Sequence, residues 1–257
     1  MSADTIKVKM LGQVGVRLAC HDIVIYIDPY LSDYVEKTEG GNLKRLIPVE
    51  VAPSNILDAN YVLITHEHID HCDPETIIPL SISSAKCKFI CSKPVSELLI
   101  GWGVDENRLI NNANGVINIS DEVIVHTLPS AHPTIVPLVD GGWECVGYVL
   151  EVQDKIIYHA GDTSVNEDLI IHLQKFNAID VAFMPVNECN YYRKKNGIIG
   201  NMTIREAFQM ATDVDVKIFI PTHWDMFECN QVYKEEIELL YEKLKPPFEL
   251  LLYPEYI

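Results

Sequence analysis

The segment Thr65–His71 constrains the fold and chemistry of this chain more than any other part of its sequence. It reads Thr-His-Glu-His-Ile-Asp-His and directly follows the apolar run Tyr61–Ile64, which predicts a strand covered on both faces. Four ligand-type side chains therefore gather at the carboxyl end of one strand: His66, His68, Asp70 and His71. The two histidines two residues apart point the same way on an extended segment, and the Asp-His pair after them can reach a second point. This spacing favours two metal ions over a solvated polar loop, the alternative interpretation.

Three further ligand-type residues each follow a strand-like apolar run elsewhere in the chain. They are His132, Asp162 and His223. The predicted ligands of one metal are His66, His68 and His132. Those of the other are Asp70, His71 and His223, with Asp162 as a carboxylate that bridges both ions. Each of the three, taken singly, has the alternative interpretation of a hydrogen-bonded loop residue, and that alternative is strongest for His132.

Two metal ions at this spacing predict hydrolytic chemistry. A water or hydroxide shared between them has its pKa lowered towards neutrality, and the ions also stabilise developing oxyanion charge. We expect Asp70 both to bind metal and to accept the proton of that water, since it lies closer than any distant base.

Apolar patterning predicts an α/β protein that forms one domain over residues 1–257. Alternation predicts an antiparallel meander over Lys7–Met10, Val14–Leu18 and Ile23–Ile27. Further predicted strands are Lys88–Ile90, Val123–Val125, Tyr148–Val152, Ile156–Tyr158, Val181–Met184 and Lys217–Ile220. Predicted helices are Pro74–Ser83, Pro94–Leu99, Glu167–Lys175, Thr203–Thr212 and Gln231–Leu244. Helices outside two sheets give a four-layer αββα sandwich, and the irregular stretch from Asp28 to about Pro53, which includes Gly40–Asn42, is a candidate rim or lid loop.

Composition narrows the partners of the predicted enzyme. The 257 residues carry a formal net charge of −17, which disfavours nucleic acid and anionic membrane surfaces. No apolar stretch approaches the roughly 20 residues of a membrane span. The seven cysteines are scattered and no signal segment is evident, so we expect a cytoplasmic protein with reduced thiols. In particular, Cys87 and Cys91 are interpreted as structural thiols rather than as metal or redox groups.

These motifs resemble those of the metallo-β-lactamase superfamily and, within it, the L-ascorbate-6-phosphate lactonase-like metal-dependent hydrolases. The finer resemblance is carried by Thr65–His71, Tyr158–Thr163, Ile179–Ala182 and Val216–Asp225, and most distinctively by the Gly-Trp-Gly of Ile100–Val104. His132 stands in a motif where the lactonases lack a histidine. The general hydrolase branch therefore stays open.

The resemblance implies a lactonase that opens a phosphorylated or acidic sugar lactone, with two divalent metal ions, Mn²⁺ or Zn²⁺. A phosphodiesterase or another ester hydrolase of the same fold is the first alternative. A non-catalytic metal-binding domain is the second.

The resemblance also places substrate-binding residues after the strand Val181–Val186. Asn187, Glu188 and Arg193 are the candidates, and Tyr191–Lys195 offers a phosphate clamp or, alternatively, a solvated loop face. His159 is a candidate catalytic residue that orients the leaving oxygen, or else a partner of Asp162. The expected partner is a small molecule, and the late helix leaves a homo-oligomer open.

Overall fold

The computed structural model describes residues 6–40, 43–111 and 115–257, and within them the strands form two sheets. The first sheet contains, in spatial order, β1 (Lys7–Gly12), β2 (Gly15–Cys20), β3 (Ile23–Ile27), β4 (Tyr61–Ile64), β5 (Lys88–Cys91) and β6 (Leu109–Asn111). Its first three strands pair antiparallel, which confirms the predicted meander, and β3 to β6 pair parallel. The first five residues of the chain, and Gly41 and Asn42 of the predicted rim loop, lie outside the described residues.

The second sheet contains β7 (Val116–Asn118), β8 (Val123–Pro129), β9 (Val146–Val152), β10 (Lys155–His159), β11 (Ile179–Pro185), β12 (Val216–Thr222) and β13 (Glu249–Leu250). These strands are neighbours in chain order. The pairs from β7 to β10 are antiparallel, and those from β10 to β13 are parallel. As a result β8, β10, β11 and β12 all run in one direction, so their carboxyl ends meet at one edge of the sheet.

The helices of the described residues are α1 (Tyr34–Glu39), α2 (Pro74–Ser83), α3 (Lys93–Gly101), α4 (Glu167–Leu173), α5 (Tyr191–Lys195), α6 (Ile204–Asp213) and α7 (Lys234–Leu244). Single 3₁₀ turns are Pro53–Asn55, Glu106–Arg108, Gln174–Phe176 and Glu228–Asn230. Several helices begin where a side chain caps the first turn. Asp73 accepts a hydrogen bond from the backbone of Thr76, and Thr203 forms a capping box with Glu206.

Three buried apolar layers separate four layers of secondary structure. On β4, Val62 and Ile64 pack towards α2 and α3, whereas Leu63 faces the second sheet. On β11, Phe183 belongs to the same central layer as Leu63, while Ala182 packs towards α6 and α7. This alternation is the period of two expected for strands buried on both faces. The predicted αββα sandwich is confirmed.

The structure changes several predicted boundaries. The last helix begins at Lys234 rather than Gln231, because the backbone of Val232 is hydrogen-bonded to Trp224 instead of entering a helix. The helix predicted to reach Lys175 ends at Leu173 and continues as a 3₁₀ turn. The short elements α1, α5, β6, β7 and β13 were not predicted, since two to six residues carry little periodicity.

The two sheets are joined beside the edge where the strands end. The backbone N–H of Val146 donates to the carbonyl of Thr65 at 3.0 Å, and the Tyr148 hydroxyl donates to the carbonyl of Ile64 at 2.7 Å. The carboxyl end of β4 therefore faces that of the second sheet across a short gap. In the part of the chain that the structure describes, no helix is long and apolar enough to cross a membrane.

Candidate metal centre

One predicted ligand triad forms at the surface of this gap. His66 Nε2 lies 2.9 Å from His68 Nδ1, which lies 3.2 Å from His132 Nε2. Because His66 and His68 follow β4 and His132 follows β8, the triad spans both sheets. His66 is buried, while His68 is exposed at the open side. Three imidazole nitrogens thus converge on one point that is accessible from outside.

The second triad forms deeper in the same gap. Asp70 Oδ2 lies 3.8 Å from His71 Nε2 and 3.4 Å from His223 Nε2. His71 is fully buried and His223 is 3% exposed. The three side chains come from the turn after β4 and from the end of β12. Their ligand atoms are close enough to share one metal ion.

Asp162 lies between the two triads. Its Oδ1 is 3.4 Å from His71 Nε2, and its Oδ2 is 3.3 Å from His223 Nε2 and 3.7 Å from His132 Nε2. The preceding Gly161 has a φ of +59°, and a Cβ there would meet the Thr65 side chain at 2.8 Å. Only glycine permits this approach of the two strand ends, which brings the carboxylate of Asp162 within reach of both triads.

The donor set fits two divalent metal ions. His71 Nε2 and Asp162 Oδ1 are buried and face each other at 3.4 Å, but within the described residues neither atom makes a hydrogen bond. Buried polar atoms of this kind are costly unless they bind something. Imidazole nitrogens and carboxylate oxygens are ligands suited to first-row divalent metals such as zinc and manganese. Among the described residues, none of the groups that could hold a metal ion includes a cysteine, and Cys87 and Cys91 are buried, as expected of structural thiols.

Asp28 and Thr65 orient the buried histidines. Asp28 Oδ2 accepts a hydrogen bond from His71 Nδ1 at 2.9 Å and from the Thr65 hydroxyl at 2.6 Å. The same hydroxyl oxygen lies 3.0 Å from His66 Nδ1 and can accept its proton. With Nδ1 of both rings occupied in this way, Nε2 of each is left free to bind metal.

Two amide side chains complete the surroundings of the triads. Asn201 Oδ1 lies 3.1 Å from His132 Nδ1, which directs Nε2 of that ring inwards. The Gln13 side chain donates from Nε2 to Asp70 Oδ2 at 2.6 Å, and the backbone carbonyl of Gln13 accepts a hydrogen bond from the backbone N–H of His223 at 2.8 Å. Gln13, Asp28 and His223 all have a left-handed backbone, with φ between 42° and 60°. Strained backbone of this kind is characteristic of functional sites.

The charges of His66, His71, Asp162 and His223 depend on one another because these four side chains are buried together. Burial alone would raise the pKa of the Asp162 carboxyl, but His223 and His71 outweigh burial and hold that pKa well below its usual range. Burial opposes protonation of His223, yet Asp162 and Asp70 raise the pKa of its imidazole to about 9. Burial and the neighbouring His71 lower the pKa of His66. Against burial, Asp162 and Asp70 also raise the pKa of His71 well above its usual value. The carboxylates are therefore ionised, and metal ions would displace protons from His71 and His223 on binding.

Asp28→Asn is expected to lower activity and metal affinity by about 10- to 100-fold, the usual effect of removing a group that orients a metal ligand. The amide presents an N–H where His71 Nδ1 needs an acceptor, so the ring is no longer held with Nε2 inwards. Titration of the variant with Zn²⁺ or Mn²⁺ and steady-state kinetics measure both effects. Asp33→Asn, at an exposed position, is the control, and equal metal affinities of the two variants would contradict the role of Asp28.

The candidate centre forms the floor of a cavity of about 440 Å³. His68, Asp70, His132, Asp162 and His223 line it from below. Val35, Glu39 and Leu43 of the stretch after Asp28 line one side, which confirms the predicted rim. A cavity of this size accommodates a small molecule.

The predicted phosphate clamp at Arg193 is wrong. Its side chain is 5% exposed, and its three nitrogens donate to the backbone carbonyls of Asn187, Cys229 and Gln231. Within the described residues, Arg193 is not part of the cavity lining. The guanidinium instead joins the loop after β11 to the loop after β12. The alternative of a solvated face fits the other four residues of Tyr191–Lys195, which are all exposed.

The predicted substrate-binding residues Asn187 and Glu188 and the candidate catalytic residue His159 also lie outside the lining, whereas the other predicted catalytic residue, Asp70, is part of it. Asn187 is fully buried and donates to Asn230, and the Glu188 carboxylate accepts a hydrogen bond from Asn190 at 2.5 Å. His159 is 1% exposed, its Nε2 donates to the carbonyl of Val14, and its Nδ1 accepts from the backbone of Gly161. Both ring nitrogens of His159 are used, so it stabilises the turn before Asp162 and does not reach a leaving group.

Comparison with known proteins identifies the family. The model of the beta-lactamase superfamily domain matches residues 24–224. The chain therefore belongs to the metallo-β-lactamase superfamily, as its motifs indicated. It is 29% identical over 214 residues to a probable L-ascorbate-6-phosphate lactonase of Escherichia fergusonii, and the match covers 78% of this chain and 59% of that relative. The chain thus matches little more than half the length of the lactonase.

Solved structures show the same fold across almost the whole chain. A possible metal-dependent hydrolase from Veillonella parvula superposes with a TM-score of 0.74 at 16% identity, covering 98% of both chains. A metallo hydrolase from the archaeon Ignicoccus hospitalis gives a TM-score of 0.72 at 19% identity, covering 98% of this chain and 97% of that one. At these identities the likeness establishes the fold alone.

Proposed function

We propose that this protein is a metal-dependent hydrolase of small carboxylic esters, lactones included. The observation that carries the proposal is the convergence of two triads of ligand atoms on either side of the buried Asp162 carboxylate, at the floor of a cavity. One ion would be held by His66, His68, His132 and Asp162. The other would be held by Asp70, His71, His223 and Asp162.

The proposed chemistry divides between the ions and the protein. Two bound divalent ions, Mn²⁺ or Zn²⁺, supply Lewis acidity and bring the pKa of water towards neutrality. Asp70 lines the cavity and is held by the Gln13 amide, and we assign to its carboxylate the proton released when water attacks the carbonyl. Val35 and Phe227, on the wall above, are buried and limit the water around the reacting group.

The lactone part of the proposal is supported by the relationship to the probable L-ascorbate-6-phosphate lactonases. The phosphate part is not carried over, because the expected clamp at Arg193 does not face the cavity. A panel of lactones, simple esters and phosphodiesters, assayed with Mn²⁺ and Zn²⁺, tests the reaction class. Hydrolysis of esters or lactones supports the proposal, and hydrolysis of phosphodiesters alone would replace it with the phosphodiesterase alternative.

Metal removal is expected to abolish turnover and to lower the melting temperature. Without ions, the histidines and carboxylates of the centre lose the cations that neutralise and coordinate them. Because the ions bind only the folded state, their removal also lowers the stability of that state. Dialysis against a chelator, followed by calorimetry and kinetics, measures both changes, and Mn²⁺ or Zn²⁺ should restore them. Turnover that survives complete metal removal would contradict the proposal. Metal-dependent stability without turnover of any substrate would favour a non-catalytic metal-binding domain.

A further inference from the structure

The wall of the cavity above the metal centre is apolar. One side belongs to a buried cluster in which Tyr30, Val35, Met226 and Phe227 pack together with the partly buried Leu43 and Ile69. The opposite side is the loop after α5, where Ile199 is 50% exposed. The apolar lining residues are Val35, Leu43, Ile69, Ile198, Ile199 and Phe227. Because part of this wall belongs to the packed cluster, the surface is largely formed before any ligand binds.

The charged residues of the rim are all acidic. Apart from the candidate metal ligands, the ionisable side chains that line the cavity are Glu39 and Glu67. No lysine or arginine of the described residues lines it, and none occurs at the sequence positions outside them, 1–5, 41–42 and 112–114. A chain with a net charge of −17 adds to the negative field at this rim.

We propose that the substrate has an uncharged, apolar group remote from its scissile bond and carries no phosphate. This inference rests on the proposed function for the identity of the scissile bond, but its evidence is the cavity wall. The reactive carbonyl would lie over the histidines and carboxylates of the floor, and an alkyl or aromatic group would pack against Val35, Phe227 and Ile199.

A phosphorylated substrate would meet two unfavourable conditions in this cavity. A phosphate remote from the scissile bond, and so away from the metal ions of the floor, would lose water against aliphatic side chains without gaining a lysine or arginine partner. It would also approach Glu39 and Glu67, and like charges in a partly desolvated cleft repel more strongly than in water. A neutral ester avoids both costs.

The negative field at the rim also favours release of the products of a neutral ester. Water adds to the acyl carbon, the acyl–oxygen bond breaks, and the products are an alcohol, a carboxylate and a proton. The new carboxylate carries a negative charge that the substrate lacked. The acidic rim at Glu39 and Glu67 therefore favours release of the product over binding of more anion.

Ligand binding tests the inference without turnover. Hydroxamates bind divalent metals through two oxygens, so acetohydroxamate, hexanohydroxamate and a hydroxamate whose chain ends in a phosphonate place different groups against the same wall. Calorimetry with the Zn²⁺- or Mn²⁺-loaded protein should show hexanohydroxamate binding at least about tenfold more tightly than acetohydroxamate. The phosphonate probe should bind no more tightly than acetohydroxamate. Tighter binding of the phosphonate probe, or no gain from the longer chain, would overturn the inference.

A matched pair of variants locates the effect. Ile199→Ala should lower the affinity for hexanohydroxamate by about threefold or more and leave the affinity for acetohydroxamate unchanged, because the substitution removes only contacts with the wall. Ile171→Ala, a similarly exposed isoleucine on α4 outside the cavity lining, should change neither affinity. If Ile199→Ala lowered the affinity for both hydroxamates by the same factor, the role of the wall would be contradicted.

Turnover separates this inference from the proposed function. We expect kcat/KM for γ-octalactone to exceed that for the phosphate ester of 5-hydroxymethyl-γ-butyrolactone by at least about tenfold, as for the hydroxamates. If the phosphorylated lactone is the better substrate, the proposed function stands and the inference fails. If neither lactone nor any ester is hydrolysed while the hydroxamates bind in the expected order, the proposed function fails and the inference stands.

Discussion

Asp162→Asn is expected to lower kcat/KM by about 10³-fold or more, as for the loss of a principal electrostatic group of an active site. Asp162 is the residue whose two carboxylate oxygens lie within 4 Å of imidazoles from both triads, namely His71, His132 and His223. Asparagine keeps the shape of the side chain but offers one neutral oxygen. It therefore cannot neutralise and join two divalent ions.

The comparison for this variant is Asp121→Asn, an exposed carboxylate in a turn of the second sheet. Kinetics at saturating Mn²⁺ or Zn²⁺ and the near-ultraviolet circular dichroism of each variant separate loss of the centre from loss of the fold. We expect a native spectrum with loss of turnover for Asp162→Asn and native behaviour for Asp121→Asn. Retention of more than about a tenth of the activity by the folded Asp162→Asn would show that no step depends on a shared carboxylate.

Arg193→Ala is expected to lower the free energy of unfolding by about 2–4 kcal/mol. Any change in KM should be similar for phosphorylated and uncharged substrates. The substitution leaves the carbonyls of Asn187, Cys229 and Gln231 without their donor. A buried acceptor that loses its partner costs the free energy of its desolvation, and here three are affected. These carbonyls flank β11 and β12, the strands next to the metal centre.

Urea unfolding of Arg193→Ala and Lys194→Ala measures this difference. Lys194 is exposed on the same short helix, so its removal should change the free energy of unfolding by less than about 0.5 kcal/mol. The opposite pattern is a stable Arg193→Ala whose KM rises only for phosphorylated substrates. That result would support phosphate binding by Arg193 and contradict the structural role given to this arginine.

The two candidate metal-binding triads were predictable because their signal is local. Each ligand follows an apolar run that forms a strand, and strand ends at one edge of a sheet meet in space. Asp28 carries the same signal, since it directly follows β3, and attention to strand ends beyond the histidine motif would have found it. The helix that starts at Asp73 was equally readable from its cap and its first-turn proline.

The residues that were missed or misread depend on distant contacts. Asn201 meets His132 across 69 positions, and no pattern near either residue indicates the pairing. Arg193 sits in a run of cations that is typical of a solvated or anion-binding loop. Its actual partners are backbone carbonyls 36 and 38 positions away, which composition cannot show. The apolar cavity wall was missed for the same reason, because Val35, Ile199 and Phe227 come from three separate segments.

The metal content of the purified protein tests the central claim most directly. After reconstitution with Mn²⁺ or Zn²⁺ and removal of excess ions, elemental analysis should give two metal ions per chain, one for the triad of His66, His68 and His132 and one for that of Asp70, His71 and His223. A ratio of one would show that the two triads do not form separate sites. A ratio of zero under conditions where the protein is folded would contradict a metal centre at His66, His71 and Asp162 altogether.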